Sequence, residues 1–458
     1  MKKHQSDINP RFVEYFQENF FANKPEELDR FLEALTKPLP KTIRVNTTRI
    51  NVEDFKARAE RNNWILTPTN NPTVFRIDRT EIKMPLGHTL EHLLGYFYMQ
   101  ELSASMSVHY LTDGKINNTP YLILDMAASP GGKTTQLSEH YPNSIIVANE
   151  PTRDRMAQLV SNTERLRNDR IMITNYDGGF YSNLPETFDR ILIDAPCSGE
   201  GIGFKESQTV KYWNLKNIHK IARLQIKLLD AAFRALKTGG EVLYSTCTLN
   251  KIENEGVINE IQSRYPESFE VLFEKRFWPH EEASGGFFVC KIRKNATVKE
   301  VENKVPRAIK TNKELIPLTK DHERILSKFI EIVGLDLSNY YLYEFKRDIL
   351  AIQKNSTAKA LLQNIFPIRL GQKIGRIEEG VFTPDNRIGR DFRLTKTPVY
   401  EIMSEQELDD YLRGKEIGEN IQEEYSVLQY KGLNVGFESK NPKTEKFTNT
   451  FPREWQRK

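Results

Sequence analysis

Cysteine is scarce in this 458-residue sequence, and long apolar runs are missing. The three cysteines, Cys197, Cys247 and Cys290, have neither the density of a disulfide scaffold nor the CxxC spacing of a metal knuckle. No metal is expected, and a reducing, cytoplasmic setting fits. No stretch of about 18 uninterrupted apolar residues occurs, and MKKHQSDINPRF at the start has basic residues with no apolar run behind them, which argues against a membrane span or an export signal. Charge of either sign is in little excess. The net value of +4 does not by itself require a nucleic-acid partner.

Hydrophobic residues at 38% and charged residues at 28% describe a globular chain that buries real cores rather than a disordered one. At about 150 residues per domain, its length predicts several domains. Residues 1–110, with the amphipathic FVEYFQENFF and the β-forming PLPKTIRVNTTRI carrying Lys41, Arg44 and Arg49, read as a mixed α/β domain. From Tyr121 the pattern changes to short continuous apolar runs: YLILDMA, SIIVANE, RIMITNYD, DRILIDAP, EVLYSTCT and the late GGFFVCKIRK. Continuous apolarity predicts strands buried on both faces. Between them TTQLSEH, TRDRMAQLVSNTERLRN and NIHKIARLQIKLLDAAFRALKTGG read as helices, the last stopped by its glycine pair. A doubly wound α/β sheet over 111–294 follows.

The stretch 295–313 reads as a basic linker; from Lys291 to Lys313 eight basic residues stand against only Glu300 and Glu302. A mixed α/β region over 314–386 and a glycine-punctuated, β-rich module over 387–458 complete the chain.

The loop AASPGGKTT follows the first of these strands and opens a helix. Its small residues let backbone N–H groups approach a ligand at a helix N-terminus. Gly132, Lys133 and Thr134 match the end of a phosphate-binding GxxxxGK[ST] loop, but Ala127 stands where its first glycine belongs and Pro130 interrupts it. The next two strands end in Glu150, placed to accept from ribose hydroxyls, and Asp177, beside an adenine site. Three successive strand ends with ligand-type groups predict an adenosine-containing cofactor.

DAPCSGEG and STCT place Cys197 and Cys247 at the carboxyl ends of two further strands, where open sheets bind ligands. If those strands are neighbours, about 4.8 Å apart, both sulfurs face one substrate. Cys290 fits a buried small hydrophobe.

LDMAASPGGKTTQL, LIDAPCSGEGIGFK and YSTCTLNKIENE resemble the NOL1/NOP2/Sun family of RNA cytosine C5-methyltransferases. PKTIRVNTTRI and HLLGYFYMQELSASMS resemble its N-terminal region, and GGFFVCKI its closing catalytic strand. RLGQKIG, YLRGKEI and FPREW resemble its bacterial small-subunit branch, methyltransferase F, which ends in a PUA-like RNA-binding module. The resemblance implies a Rossmann-like class I methyltransferase sheet over 111–294, an N-terminal RNA-binding-type α/β domain and a PUA-like domain over 387–458. It implies S-adenosyl-L-methionine held by Ala127, Ala128, Ser129, Pro130, Gly131, Gly132, Lys133, Glu150, Asp177 and Asp194. It further implies Cys247 as nucleophile on C6 of a cytosine and Cys197 as the group that releases product. Asp194 is expected to serve the N3 side of the base as well.

The chemistry is coherent, since cytosine C5 is a poor nucleophile until a thiolate adds to C6, and the C5 proton must then leave. The expected partner is RNA, 16S ribosomal RNA first, with transfer RNA or a non-catalytic assembly role as alternatives. The chain is expected to be monomeric. A DNA cytosine methyltransferase would use the Pro-Cys pair at Cys197 and leave Cys247 without a task. Arg369, Arg376, Arg387, Arg390 and Arg393, with the basic linker, are the expected RNA contacts. Lys205, Glu206 and Ser207 depart from the family pattern, which bears on local RNA contacts and not on the chemistry.

Overall fold

Alternating β-formers in the N-terminal part pair into an antiparallel sheet of order β2-β3-β1-β4, with β1 at Thr42–Val45, β2 at Trp64–Pro68, β3 at Val74–Arg79 and β4 at Phe97–Met99. Ahead of it run two helices, Pro10–Phe20 and Pro25–Ala34. The first starts on an Asn9 cap followed by proline, the preferred order at a helix start. Phe12, Phe16, Phe21 and Phe31 from this helical pair bury together with Trp213 and Leu249.

The computed structural model describes residues 8–80, 84–167, 169–203, 207–282, 284–298, 315–355, 361–362 and 364–457. They group into two units: residues 1–81, 97–162 and 174–308 in one, and 82–96, 163–173 and 309–458 in the other.

The apolar runs fold as the expected strands: in the first unit β5 (Leu122–Asp125), β6 (Ile145–Asn149), β8 (Phe188–Asp194) and β9 (Leu236–Thr246), and β7 (Ile171–Thr174), whose first three residues belong to the second. β5 and β6 are buried at every residue, as continuous apolarity requires. The order β9-β8-β5-β6 is parallel throughout. The chain leaves β5 toward β6 and later returns to β5's other edge as β8, so the loops after β5 and β8 open side by side. That is the topological switch point where such sheets bind ligands.

Two details differ from the sequence reading. The helix Leu215–Ala235 ends before its glycine pair, because Leu236 is already extended and pairs with Phe188 of β8. Strand capture outcompetes the glycine stop. The second is β10 (Phe269–Phe277), which was not expected; it lies antiparallel on β11 (Phe287–Lys294), itself antiparallel to β9. Its alternating, charge-bearing sequence belongs to an edge strand half-open to water.

In the second unit β12 (Leu315–Pro317), β13 (Tyr340–Phe345), β14 (Asp348–Gln353), β16 (Gln372–Glu378) and β17 (Val381–Pro384) make a five-stranded antiparallel sheet. The short β15 (Arg369–Leu370) pairs instead with Met172 and Ile173. A three-stranded sheet of β18 (Val399–Glu401), β19 (Tyr425–Tyr430) and β20 (Leu433–Ser439) closes the chain.

The arginines expected to meet RNA are mostly engaged inside this unit. Arg387 is buried between Asp385 at 2.6 Å and Glu164 at 2.5 Å. Arg369 pairs with Asp348 at 2.8 Å, Arg376 lies 3.5 Å from Asp348 and from Glu378, and Arg390 pairs with Asp391 at 3.2 Å. Guanidinium groups whose donors are spent on carboxylates hold the fold rather than await phosphate. Arg393 is exposed. At the head of the basic stretch, Lys291 and Lys294 in the first unit are likewise buried, on Asp113 and Glu241 and on Glu186. Lys299, Lys304, Arg307, Lys310 and Lys313, and also Lys205 and Glu206, lie outside the described residues.

Candidate active site

The loop after β5 turns on Gly131, whose φ of +103° suits glycine. It then opens the helix Gly132–His140. A cleft above it is lined by Ala127, Ala128, Ser129, Pro130, Gly132 and Lys133, by Asp125 and Asp194 at the ends of β5 and β8, and by Tyr98, Met99, Gln100 and Glu101 from β4 and its exit. The expected loop residues therefore share one concave site, which the β4 segment walls. Sequence reading missed that wall; HLLGYFYMQELSASMS had entered only as a resemblance to the family's N-terminal region.

Arg44 of β1 holds the wall to the loop. Fully buried, it donates to Gly132 O at 2.6 Å, Thr135 Oγ1 at 2.8 Å and Glu139 Oε1 at 2.9 Å, and also to Gln100 Oε1. Burial pushes the Glu139 carboxyl up to about 7, against the pull of Arg44.

Electrostatics in the cleft are set by three groups. Lys133 Nζ lies 2.7 Å from Asp194 Oδ2 and 5.4 Å from the Phe287 ring centre. Burial works against its charge, yet Asp194, with smaller contributions from Asp125 and Cys247, holds the ammonium above the ordinary lysine value. Asp125 is pushed up to about 7 by burial, opposed by a hydrogen bond from Thr134 and reinforced by Asp194. Its Oδ1 is buried without a hydrogen bond.

Glu150 is buried beside the loop. Thr152 N donates to its Oε1 at 2.9 Å, Arg155 stands 3.5 Å from Oε2, and that oxygen has no hydrogen bond. Arg155 also donates to Ser129 O at 2.8 Å, which ties Glu150 to the loop. Asp177 stands apart from this group. Its exposed side chain accepts from Lys227 Nζ at 2.8 Å and caps the turn Gly178–Asn183, and its acidity is strengthened first by that lysine.

Cys197 and Cys247 meet. Because Asp194 of β8 is in register with Ser245 of β9, the two loops emerge together and the sulfurs lie 2.9 Å apart, both as free thiols. The Cys197 thiol is held well above its ordinary value, first by its hydrogen bond to Cys247 and then by burial. Cys290 is buried away from them, as a small hydrophobe.

Two buried carboxylates, absent from the sequence reading, lock these loops. Glu200 accepts from Thr248 Oγ1 at 2.7 Å, from the backbone N–H groups of Leu249 at 3.1 Å and Asn250 at 3.0 Å, from Asn250 Nδ2 at 3.0 Å, and from the Trp213 indole. Glu253 accepts from Ser198 N at 3.0 Å, Gln225 Nε2 at 2.8 Å and Asn250 Nδ2 at 2.9 Å. The Cys197 loop carries Glu200, which grips the Cys247 loop; Glu253 does the reverse. Gly201 completes the lock, since a Cβ there would come within 2.0 Å of Gly286 O.

Two family models match the chain: "16S rRNA methyltransferase RsmB/F" over 115–293 and "N-terminal domain of 16S rRNA methyltransferase RsmF" over 8–102. A ribosomal RNA small subunit methyltransferase F from an Enterobacter species is 32% identical over 96% of this chain and 96% of its own length. The chain belongs to the ribosomal RNA small subunit methyltransferase F family. Its alignment with the Erwinia tasmaniensis methyltransferase F reaches 39% identity but covers 63% of this chain and 64% of that protein. The chain thus spans a little under two thirds of the length of such relatives at that higher identity. A solved methyltransferase homolog from Pyrococcus horikoshii, 28% identical, superposes with a TM-score of 0.53 on 63% of this chain and 100% of its own. Within the methyltransferase F family, the two matched models cover the N-terminal sheet, the cleft, both thiols and both locking carboxylates.

Proposed function

We propose that this chain methylates C5 of a cytosine in small-subunit ribosomal RNA, taking the methyl group from S-adenosyl-L-methionine and holding the base through a covalent bond from Cys247 Sγ to C6. The observation that carries this reading is the pair of thiols, 2.9 Å apart at the ends of adjacent parallel strands and beside a cleft of nucleotide-binding type. Small-subunit ribosomal RNA is the substrate named for the family, and the matched regions include every residue assigned a role. Among the described residues no helix is long and apolar enough to cross a membrane.

The residues present fit the cofactor. The loop 127–133 would cradle it, Glu150 offers a buried oxygen without a hydrogen bond to the ribose hydroxyls, and Asp177 would stand at the adenine side. S-Adenosylmethionine supplies an electrophilic methyl group when bound. Lys133, 2.7 Å from Asp194 Oδ2, orients that carboxylate at the end of β8, where Asp194 would meet the N3 side of the base.

The two thiols divide the work. Cys247 adds to C6, which makes C5 nucleophilic; after C5 is methylated its proton must go to a base before the C6–S bond can break. Cys197 is that base. At rest the hydrogen bond to Cys247, and after it burial, keep the proton on Cys197. Once Cys247 is bonded to carbon as a thioether that hydrogen bond is lost while burial remains; Cys197, having given its own proton to water, takes the proton from C5, the C5–H electrons form the C5–C6 double bond and the C6–S pair leaves with Cys247. The target cytosine must be single-stranded or flipped out to reach the sulfur. The N-terminal domain and the PUA-like 387–458 module would each bind RNA.

Bisulfite sequencing of total RNA from a strain lacking this protein tests the reading. At least one protected cytosine of 16S ribosomal RNA becomes convertible. A lost site in transfer RNA would reassign the substrate, and no lost site would remove the activity. For the cofactor, Glu150→Ala is expected to weaken S-adenosylmethionine binding by about 10- to 100-fold in calorimetry, the value of charged hydrogen bonds worth roughly 1.5–3 kcal/mol. Unchanged affinity would take Glu150 out of the ribose site.

A further inference from the structure

His280 has no place in the chemistry above, yet its surroundings are unusual. Its side chain is 3% exposed, and both ring nitrogens are buried without a hydrogen bond. Phe21, Phe31 and Trp278 pack around the ring with centres 5.9 to 6.0 Å away. A buried imidazole that satisfies neither nitrogen is costly unless something else takes its lone pair. Glu27 Oε1 is 3.8 Å from Nε2, too far for a hydrogen bond. Lys24 occupies the other oxygen of Glu27 at 2.9 Å, which leaves Oε1 directed at the ring. The neighbouring Glu281 adds a third donor, and one ligand atom from each of the three residues lies within 4.8 Å of the others.

We propose that Glu27, His280 and Glu281 bind one divalent transition-metal ion of the zinc class. Two ligands each about 2.0–2.1 Å from such an ion sit ~3.4 Å apart at a tetrahedral angle and ~4.2 Å apart when opposed. The 3.8 Å between Nε2 and Oε1 falls inside that window before any movement, and the exposed Glu281 closes the rest by turning its side chain. One imidazole and two carboxylates suit zinc better than magnesium, which prefers oxygen ligands and keeps its waters. Water completes the shell on the open side. No sequence spacing could reveal a site made from residues 27, 280 and 281. The ion would clamp the helix Pro25–Ala34 to the turn Pro279–Glu282, and with it the aromatic cluster that buries Trp213 and Leu249 against the Cys247 loop.

The full chain, stripped of metal with a chelator and desalted, is titrated with Zn²⁺ by calorimetry and with Co²⁺ by absorbance. One equivalent binds, with visible cobalt bands typical of nitrogen and oxygen ligands, and Zn²⁺ raises the melting temperature. Glu27→Gln and His280→Gln each weaken binding by at least ~10-fold, since even outer-shell changes reach that size. If His280→Gln does not fold, Glu27→Gln and Glu281→Gln decide. The proposal is overturned by absence of binding, by affinity unchanged in Glu27→Gln, or by a thiolate-to-cobalt charge-transfer band, which would put the ion on Cys197 and Cys247 instead. Loss of methylation is not the readout, so the site stands or falls separately from the catalytic reading.

Discussion

Changing Cys247 to serine lowers methyl transfer to RNA by on the order of 10⁴-fold or more, the scale seen when a covalent nucleophile is removed from an assembled site. The substitution is nearly isosteric, and the backbone around it is fixed by contacts that do not involve the sulfur: Gly201 N donates to Cys247 O at 3.0 Å, and Glu200 holds Thr248 to Asn250. The variant therefore keeps its fold and its cofactor cleft while losing the sulfur assigned to C6. Initial rates of labelled methyl incorporation, read beside unchanged cofactor affinity, separate the two. A serine enzyme that methylates at the normal rate would end the covalent reading.

Cys197→Ala has the opposite signature. With Cys247 intact, addition and methylation proceed, but the C5 proton has no base and the adduct cannot collapse. Release slows by about 10² to 10⁴, the usual worth of a positioned acid or base. On a denaturing gel a substantial share of the enzyme should then migrate as a nuclease-sensitive protein–RNA band. The double variant Cys197→Ala, Cys247→Ser shows none. If Cys197→Ala turns over normally with no band, another group takes the proton, and the closeness of the two sulfurs serves something else.

What could be read from sequence is instructive in its limits. The five parallel-strand candidates were legible because strands buried on both faces leave continuous apolar runs, and the meeting of Cys197 and Cys247 was legible because both follow neighbouring strands at the end where such sheets bind ligands. Charged residues misled. Arg44 sits among β-formers and looks like a surface cation, but its carboxylate partner, Glu139, is 95 positions away, and Arg387 meets Glu164 across 223. No local pattern encodes such pairs. Glu200 and Glu253 lay inside segments already singled out, yet a glutamate in a glycine-rich turn reads as solvated until the fold closes five donors around it. β10 was missed because an edge strand keeps one face in water and so carries the charges of a loop. Asp177 illustrates the converse: the polar group after the strand was anticipated, but its contact with Lys227 at 2.8 Å was not, because the partner lies fifty positions away.

The position of Arg44 bears on how this chain can be dissected. Its guanidinium is the only counter-charge paired to Glu139 among the described residues, and it arrives from β1, well upstream of the cofactor loop. A chain cut ahead of β5 to isolate the doubly wound sheet would strand an acid in the interior and free the helix behind the loop from its brace. Two separately matched regions are thus not two separate folding units: the leading segment props the loop after β5 from inside, and the two stand as one thermodynamic object.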